Sequence, residues 1–170
     1  MVTAHTGRTA AYAITLALWA CGPAPEPEPE SFVPFASHFA RYTSWESFVI
    51  PGGAQQEDAH VSGDRTLYLK RRPPRGATRY PVGTLIVKVT PLQVFAMAKR
   101  GGGYNAQGAV DWEWLELEGT VEQPFIRWRG IGAPDGEGYG PPGESSCNLC
   151  HDGAAHNDFV RAAPLQLSEW

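Results

Sequence analysis

The chain has 170 residues and a formal net charge of −4, so neither nucleic acid nor an anionic membrane surface is an expected partner. Its 19 glycines and 15 prolines argue against a helical bundle and favour strands joined by turns. The length suggests one domain with additional processing segments.

Residues 1–20 have the features of a bacterial export signal. Arg8 provides a positive charge, and the apolar run over 10–20 is too short to span a bilayer as a stable helix. Leu18 lies three residues before Cys21, and a small residue precedes the cysteine, as in a lipoprotein cleavage box. We therefore expect Cys21 to become the lipidated first residue of the mature protein. An ordinary signal peptide cleaved nearby is the alternative.

In residues 22–30 proline alternates with glutamate, a pattern that cannot form a core and favours an extended polyproline spacer. Together with Cys21 it predicts a lipid-anchored linker over 21–30, followed by a folded domain over 31–170. Either kind of signal exports the domain, so we expect it in the bacterial cell envelope, facing the periplasm.

Residues 31–50 carry aromatic side chains at spacings of three and four, which predict an amphipathic helix interrupted near Thr43. Four or five strands are then predicted by β-branched, aromatic or alternating residues between turn signals, at 65–70, 81–90, 93–99, 112–118 and 125–129. In the second of these, Leu85 and Val87 should lie on one face, and Ile86 and Lys88 on the other. For 93–99 a short helix is the alternative.

The sequence Cys147-Asn148-Leu149-Cys150-His151 matches C-x-x-C-H, the attachment motif of a c-type haem. Its two thiols can form thioethers with the two porphyrin vinyl groups, and the histidine that follows can supply an axial nitrogen to the iron. A zinc site that adds His156 is an alternative, although Cys150 and His151 are adjacent and would strain tetrahedral geometry. A small disulfide is a second alternative.

The fold class expected is α+β: mainly an antiparallel β-sheet, with an N-terminal helix and a C-terminal haem c attachment motif. Small helical haem carriers attach haem near the N-terminus and use a downstream Met, but no Met follows His151. Four-helix haem proteins need four amphipathic helices, which this sequence lacks.

The segments Pro81–Lys88, 95–100 and 112–114, followed by the C-x-x-C-H motif, resemble the cytochrome P-460 family, to which the cytochromes c′-beta are related. The resemblance covers roughly residues 31–165. It implies a mainly antiparallel β domain, usually a homodimer, with haem c as cofactor and five-coordinate iron.

The resemblance also assigns two further site residues. Lys88 matches the lysine that is cross-linked to the porphyrin in cytochromes P-460, although a solvent-facing strand lysine is the simpler interpretation. Phe95 falls where the family's enzymes place a distal carboxylate, which resembles instead the apolar cap of the cytochromes c′-beta. Asp111, Glu113 or Glu116 are substitutes for that carboxylate, but strand alternation predicts that most of them point outward.

The resemblance implies a haem oxidoreductase that oxidises hydroxylamine or nitric oxide and passes electrons to another cytochrome. A nitric-oxide-binding or electron-transfer protein without turnover is the alternative. Met97 is expected in the core rather than on the iron, and His60 and His156 are expected to be surface or hydrogen-bonding residues. Charge alone suggests Arg65 or Arg127 as partners for a haem propionate.

Overall fold

The computed structural model of the protein describes Met1 and residues 31–52, 63–132 and 146–170. Six strands form an antiparallel sheet in the order of the sequence, each paired with its neighbour in the chain. The strands are β1 (Glu46–Ile50), β2 (Arg65–Leu69), β3 (Leu85–Val89), β4 (Val94–Lys99), β5 (Trp112–Gly119) and β6 (Pro124–Gly130).

The mainly antiparallel β class is confirmed, and all five predicted strands are present as β2 to β6. The predicted N-terminal helix is wrong. Residues 31–50 form two short 3-10 turns, Ala36–Phe39 and Tyr42–Ser44, and then strand β1. Arg41, between the turns, has φ 58° and cannot continue a right-handed helix. The aromatic spacing of three suits 3-10 turns, while the end of the segment pairs with β2 and completes the sheet.

The two faces of the sheet bury different cores. We call one the tryptophan face; it carries Trp112, Trp114 and Trp128 with aliphatic residues of β2 to β4. We call the other the aliphatic face, which carries Leu85, Val87, Ala96, Ala98, Leu115 and Leu117 under Phe39 and Tyr42. Ile86 belongs to the first core and its neighbours in β3 to the second, so the predicted division of β3 is confirmed.

The C-terminal segment covers the tryptophan face. It begins with helix α1 (Ser146–Asp152) and continues through three 3-10 turns to Trp170. Val160, Leu165 and Leu167 enter the core of that face. The Tyr80 hydroxyl donates to the carbonyl of Leu165 at 2.6 Å, which ties the β2–β3 connection to the tail.

Several predictions lie outside the described residues. The export signal, Cys21 and the linker fall within 2–30, and His60 falls within 53–62. Among the described helices, none combines the length and apolar character needed to cross a bilayer. Export and lipid anchoring therefore stay predictions.

Candidate functional site

Helix α1 contains the whole C-x-x-C-H motif. Residues three and four apart share one side of an α-helix, so Cys147, Cys150 and His151 form one contiguous surface. The two cysteines are partly buried and are not joined in a disulfide. Cys147 packs against the core of the tryptophan face, and Arg161 contacts the Cys150 sulfur. The disulfide alternative is therefore not adopted in this structure.

Asn148, inside the motif, attaches helix α1 to the sheet. Its Oδ1 accepts hydrogen bonds from Asn105 Nδ2 at 2.7 Å, Trp114 Nε1 at 3.0 Å and the Ala109 backbone N–H at 3.2 Å. Its Nδ2 donates to Asn105 Oδ1 at 2.9 Å. A Cβ at Gly108 would lie 2.2 Å from Asn148 Nδ2, so this contact requires glycine. Sequence reasoning missed Asn148, because the motif leaves this position unspecified.

His151 is oriented by a backbone carbonyl. Its Nδ1 lies 2.6 Å from the oxygen of Phe159, and its ring lies 4.4 Å from the Trp114 ring between centroids. A carbonyl only accepts, so Nδ1 carries the proton and the Nε2 lone pair is left for a metal. Burial lowers the pKa of His151 to about 4, with smaller contributions from the charges of Lys88 and Arg161. The imidazole is therefore neutral at pH 7, as axial ligation requires.

The loop that supplies this carbonyl is fixed by a buried ion pair. Lys99 Nζ donates to Asp158 Oδ1 at 2.7 Å, and both side chains are 2% exposed. The other carboxylate oxygen accepts from the Tyr80 N–H at 2.9 Å, and the Asp158 carbonyl accepts from Trp112 Nε1 at 2.7 Å. Asp158 and Phe159 both have positive φ. The sheet thus holds an unusual turn in place, and the turn holds His151.

Lys88 and Phe95 are direct cross-strand neighbours on the tryptophan face. Lys88 Nζ lies 4.9 Å from the centre of the Phe95 ring. Glu116 is the partner of Phe95 on the next strand and is 2% exposed, and its Oε2 accepts from Trp128 Nε1 at 2.6 Å. One row across the sheet therefore contains Phe48, Leu67, Lys88, Phe95, Glu116 and Trp128.

The expectation that the candidate acids point outward is wrong for two of them, because β5 is covered on both faces. Glu116 is buried on the tryptophan face. Glu113 is buried on the aliphatic side, where Arg100 and Arg129 bind it. Asp111 accepts from the Gly103 N–H at 2.9 Å and shapes a turn. Only Glu116 shares a face with Lys88 and Phe95.

The remaining predicted site residues differ in their burial and in their partners. Met97 is a buried core residue, as expected, and His156 is exposed. Arg127 is exposed and binds Glu118 at 2.9 Å. Arg65, in contrast, is only 8% exposed, and its Nε has no hydrogen-bond partner. Within the described parts of the chain, no group of three or more His, Cys, Asp or Glu residues is arranged to hold a metal ion, so the zinc alternative gains no support.

These residues fit a haem c. Two thiols and a neutral imidazole share one side of a helix that packs on an aromatic surface, and a buried guanidinium on that surface lacks a partner. Cys147 and Cys150 would hold the porphyrin, and His151 would ligate its iron. A haem bound there would supply a redox-active iron.

No protein-family model, curated protein or solved structure matches this chain. The likeness to cytochrome P-460 consequently rests on the sequence segments themselves. The function is therefore inferred from the chemistry of the site.

Proposed function

We propose that this protein is an exported c-type cytochrome with haem attached through Cys147 and Cys150 and ligated by His151. The observation that carries the proposal is the state of the histidine. Its Nδ1 is bonded to the Phe159 carbonyl, its pKa is lowered to about 4, and it shares one side of helix α1 with both thiols. A zinc ion would need further ligands, whereas haem needs only this one from the protein on that side.

The reaction proposed is oxidation of a small nitrogen species, hydroxylamine or nitric oxide, with electrons passed to a partner cytochrome. Hydroxylamine loses protons as it loses electrons, so the reaction needs a base close to the substrate. Glu116 is the buried carboxylate beside Phe95 and takes this role in the proposal. Lys88, next in the same row, is the proposed site of a covalent bond to the porphyrin.

Phe95 favours the alternative function, in which the domain binds nitric oxide or carries electrons without turnover, as a cytochrome of the c′-beta type. Its ring lies between Lys88 and Glu116 in the row. An apolar ring over the iron would exclude polar ligands and admit a diatomic gas. The two functions differ in whether Glu116 reaches the bound ligand past Phe95.

The setting of the protein is also part of the proposal. A lipidated Cys21 anchors it in the bacterial cell envelope, the segment 21–30 acts as a linker, and the haem domain faces the periplasm as a homodimer. These elements follow from the sequence pattern and from the resemblance to the cytochrome P-460 family.

Haem attachment is tested by expressing the full chain in a host that matures c-type cytochromes. The wild type should retain haem on a denaturing gel, and Cys147→Ser with Cys150→Ser should lose it completely. Cys21→Ser is the matched control, because it should keep the haem but release the protein from the membrane fraction. A wild type without covalently bound haem would refute the proposal.

The reaction is tested on the purified haem protein. A ferrous Soret band strongly red-shifted from ordinary haem c, together with a haem-peptide mass that changes in Lys88→Ala, supports the cross-link. Glu116→Gln should then reduce hydroxylamine oxidation about 10²- to 10⁴-fold, whereas the exposed Glu118→Gln should not. Nitric oxide binding without hydroxylamine turnover selects the alternative function. Six-coordinate, low-spin ferrous iron would contradict both.

A further inference from the structure

Arg65 is a buried cation whose charge the described residues leave unmatched. It is 8% exposed, its Nε has no hydrogen-bond partner, and none of the ion pairs formed within the described residues includes it. Burying an ionised group without a partner is strongly unfavourable, and arginine does not escape by losing its proton. The site therefore calls for an anion.

Arg65 lies on the tryptophan face, at a defined distance from the haem motif. Leu69, on the same strand, is in the row of paired residues that includes Trp114, and His151 packs on Trp114. Arg65 lies four residues earlier, which is about 14 Å along an antiparallel strand. The row with Lys88 and Phe95 lies between the two.

Other cations near this face are already engaged. At the opposite end of the face, Lys99 is bonded to Asp158, so a second carboxylate there would meet an existing one. Arg127 is exposed and bonded to Glu118. Arg161 contacts the sulfur of Cys150, at the point of attachment itself. Only Arg65 combines burial with an unsatisfied donor on the tryptophan face of the described residues.

We propose that Arg65 is a carboxylate-binding site that holds a propionate of the haem. The inference rests on the proposed function. A protohaem-derived porphyrin carries its vinyl groups and its propionates on opposite edges. Cys147 and Cys150 would hold the vinyl edge on helix α1, which Asn148 bonds to Trp114, and a porphyrin directed along the strands would bring its propionate edge to the row of Arg65. A guanidinium binds such a carboxylate with two parallel hydrogen bonds and keeps it ionised.

The pairing has a measurable consequence for the iron. An ionised propionate stabilises the ferric state, and its protonation raises the reduction potential. A nearby guanidinium lowers the pKa of a carboxyl group by about one to three units. Loss of Arg65 should therefore increase the proton affinity of the propionate at least about tenfold, and the pH-dependent part of the potential should move to higher pH.

The experiment uses the full-length haem protein and the variants Arg65→Gln and Arg65→Lys. Haem content and far-ultraviolet circular dichroism are measured first, and then the reduction potential as a function of pH. The transition should move upward in Arg65→Gln, and Arg65→Lys should restore part of the shift. Arg75→Gln, at an exposed arginine of the β2–β3 connection, should follow the wild-type curve. The propionate bending band in resonance Raman spectra should change in Arg65→Gln alone.

The outcomes are separable. A wild type that carries no covalent haem defeats the proposed function. A wild type with haem whose pH profile and propionate band are unchanged in Arg65→Gln overturns the Arg65 site alone. If added nitrite instead shifts the reduction potential of the wild type but not that of Arg65→Gln, Arg65 binds an anion from solution, and this result also overturns the propionate site. If Arg65→Gln does not fold, Arg65→Lys replaces it. An Arg65→Lys profile identical to wild type and to Arg75→Gln, with an unchanged propionate band, then overturns the Arg65 site.

Discussion

The two faces of the sheet differ in how their buried charged side chains are paired. On the aliphatic face, Glu113 is 2% exposed, and both of its oxygens accept hydrogen bonds. Arg129 reaches them at 2.6 and 2.7 Å, and Arg100 reaches one at 2.8 Å. The Nε of Arg100 has no acceptor, but the charge of its guanidinium is matched by Glu113. Both guanidinium groups of this cluster therefore bind the same carboxylate within the folded chain.

On the tryptophan face, only some of the buried charges are paired with another described residue. Its ion pair between Lys99 and Asp158 is as well formed as any on the other side. The same face also contains two thiols, a neutral imidazole and the unmatched charge of Arg65. Arg65 is the one buried charge of this face without a partner among the described residues, and under the proposed function a ligand supplies its anion. This contrast favours the tryptophan face as the side that binds haem. Three predictions test it, in order of decreasing effect.

The largest effect should come from breaking the buried ion pair of the tryptophan face. Lys99→Met leaves the Asp158 carboxylate buried without its cation and should reduce the free energy of unfolding by about 3–5 kcal/mol. It should also alter the orientation of His151, because Asp158 adjoins the carbonyl that holds the imidazole. Chemical denaturation measures the first effect, and the electron paramagnetic resonance spectrum of the ferric haem measures the second.

The control for this prediction is on the aliphatic face. Glu113→Gln breaks a comparable buried cluster and should also destabilise the protein, but the haem spectrum should stay as in the wild type. A spectral change of equal size in both variants would contradict the division between the two faces. Adding Asp158→Asn to Lys99→Met should recover much of the lost stability without restoring the spectrum, because asparagine removes the unpaired charge, tolerates the positive φ and keeps an acceptor for the Tyr80 N–H.

The next effect concerns acid stability without haem. The Cys147→Ser/Cys150→Ser variant leaves His151 unligated, with its pKa lowered to about 4 in the folded state. An unfolded histidine has a pKa of about 6.5, so the unfolded chain binds one more proton between these two values. Stability should therefore fall as the pH decreases from about 6.5 to 4, by up to about 3 kcal/mol.

Denaturant titrations across this pH range measure the slope. Adding His151→Leu should remove this part of the slope, since no group is then left at that position to take up the proton. A variant with Leu at 151 that loses stability as steeply as its parent would show that the acid sensitivity has another origin.

The smallest effect should come from disturbing the attachment of helix α1. Gly108→Ala places a methyl group 2.2 Å from Asn148 Nδ2 and forces the amide away from Asn105 and Trp114. The loss of these hydrogen bonds should cost about 1–3 kcal/mol. Gly153→Ala is the control, because its new methyl would meet only an ordinary contact at 3.9 Å. Thermal unfolding of the haem protein distinguishes the two variants.

The strands were predictable because their patterns were local. Strands β3 and β5 combine β-branched or alternating residues with clear turns, and the structure places them where the pattern indicates. Strand β1 was not predictable, because the aromatic spacing before it matches a helical period. What makes it a strand is its pairing with β2, a contact that the segment itself does not encode.

The candidate site was predictable only where a motif defines it. Cys147, Cys150 and His151 follow from their spacing. The ion pair of Lys99 and Asp158 could not be predicted in this way, because its members are 59 positions apart and neither belongs to a recognisable motif. The burial of Glu116 was missed for a related reason. Alternation assumes that one face of a strand meets solvent, and β5 has two covered faces.

The strictly sequential order of the six strands also bears on how the molecule assembles. Each strand pairs with the one before it, so the sheet can form hairpin by hairpin as the chain becomes available for folding. Among the described residues, the segment 146–170 supplies the cover of its tryptophan face. The same segment carries both cysteines of the motif, so the folding step that completes the core also brings the thiols to the sheet.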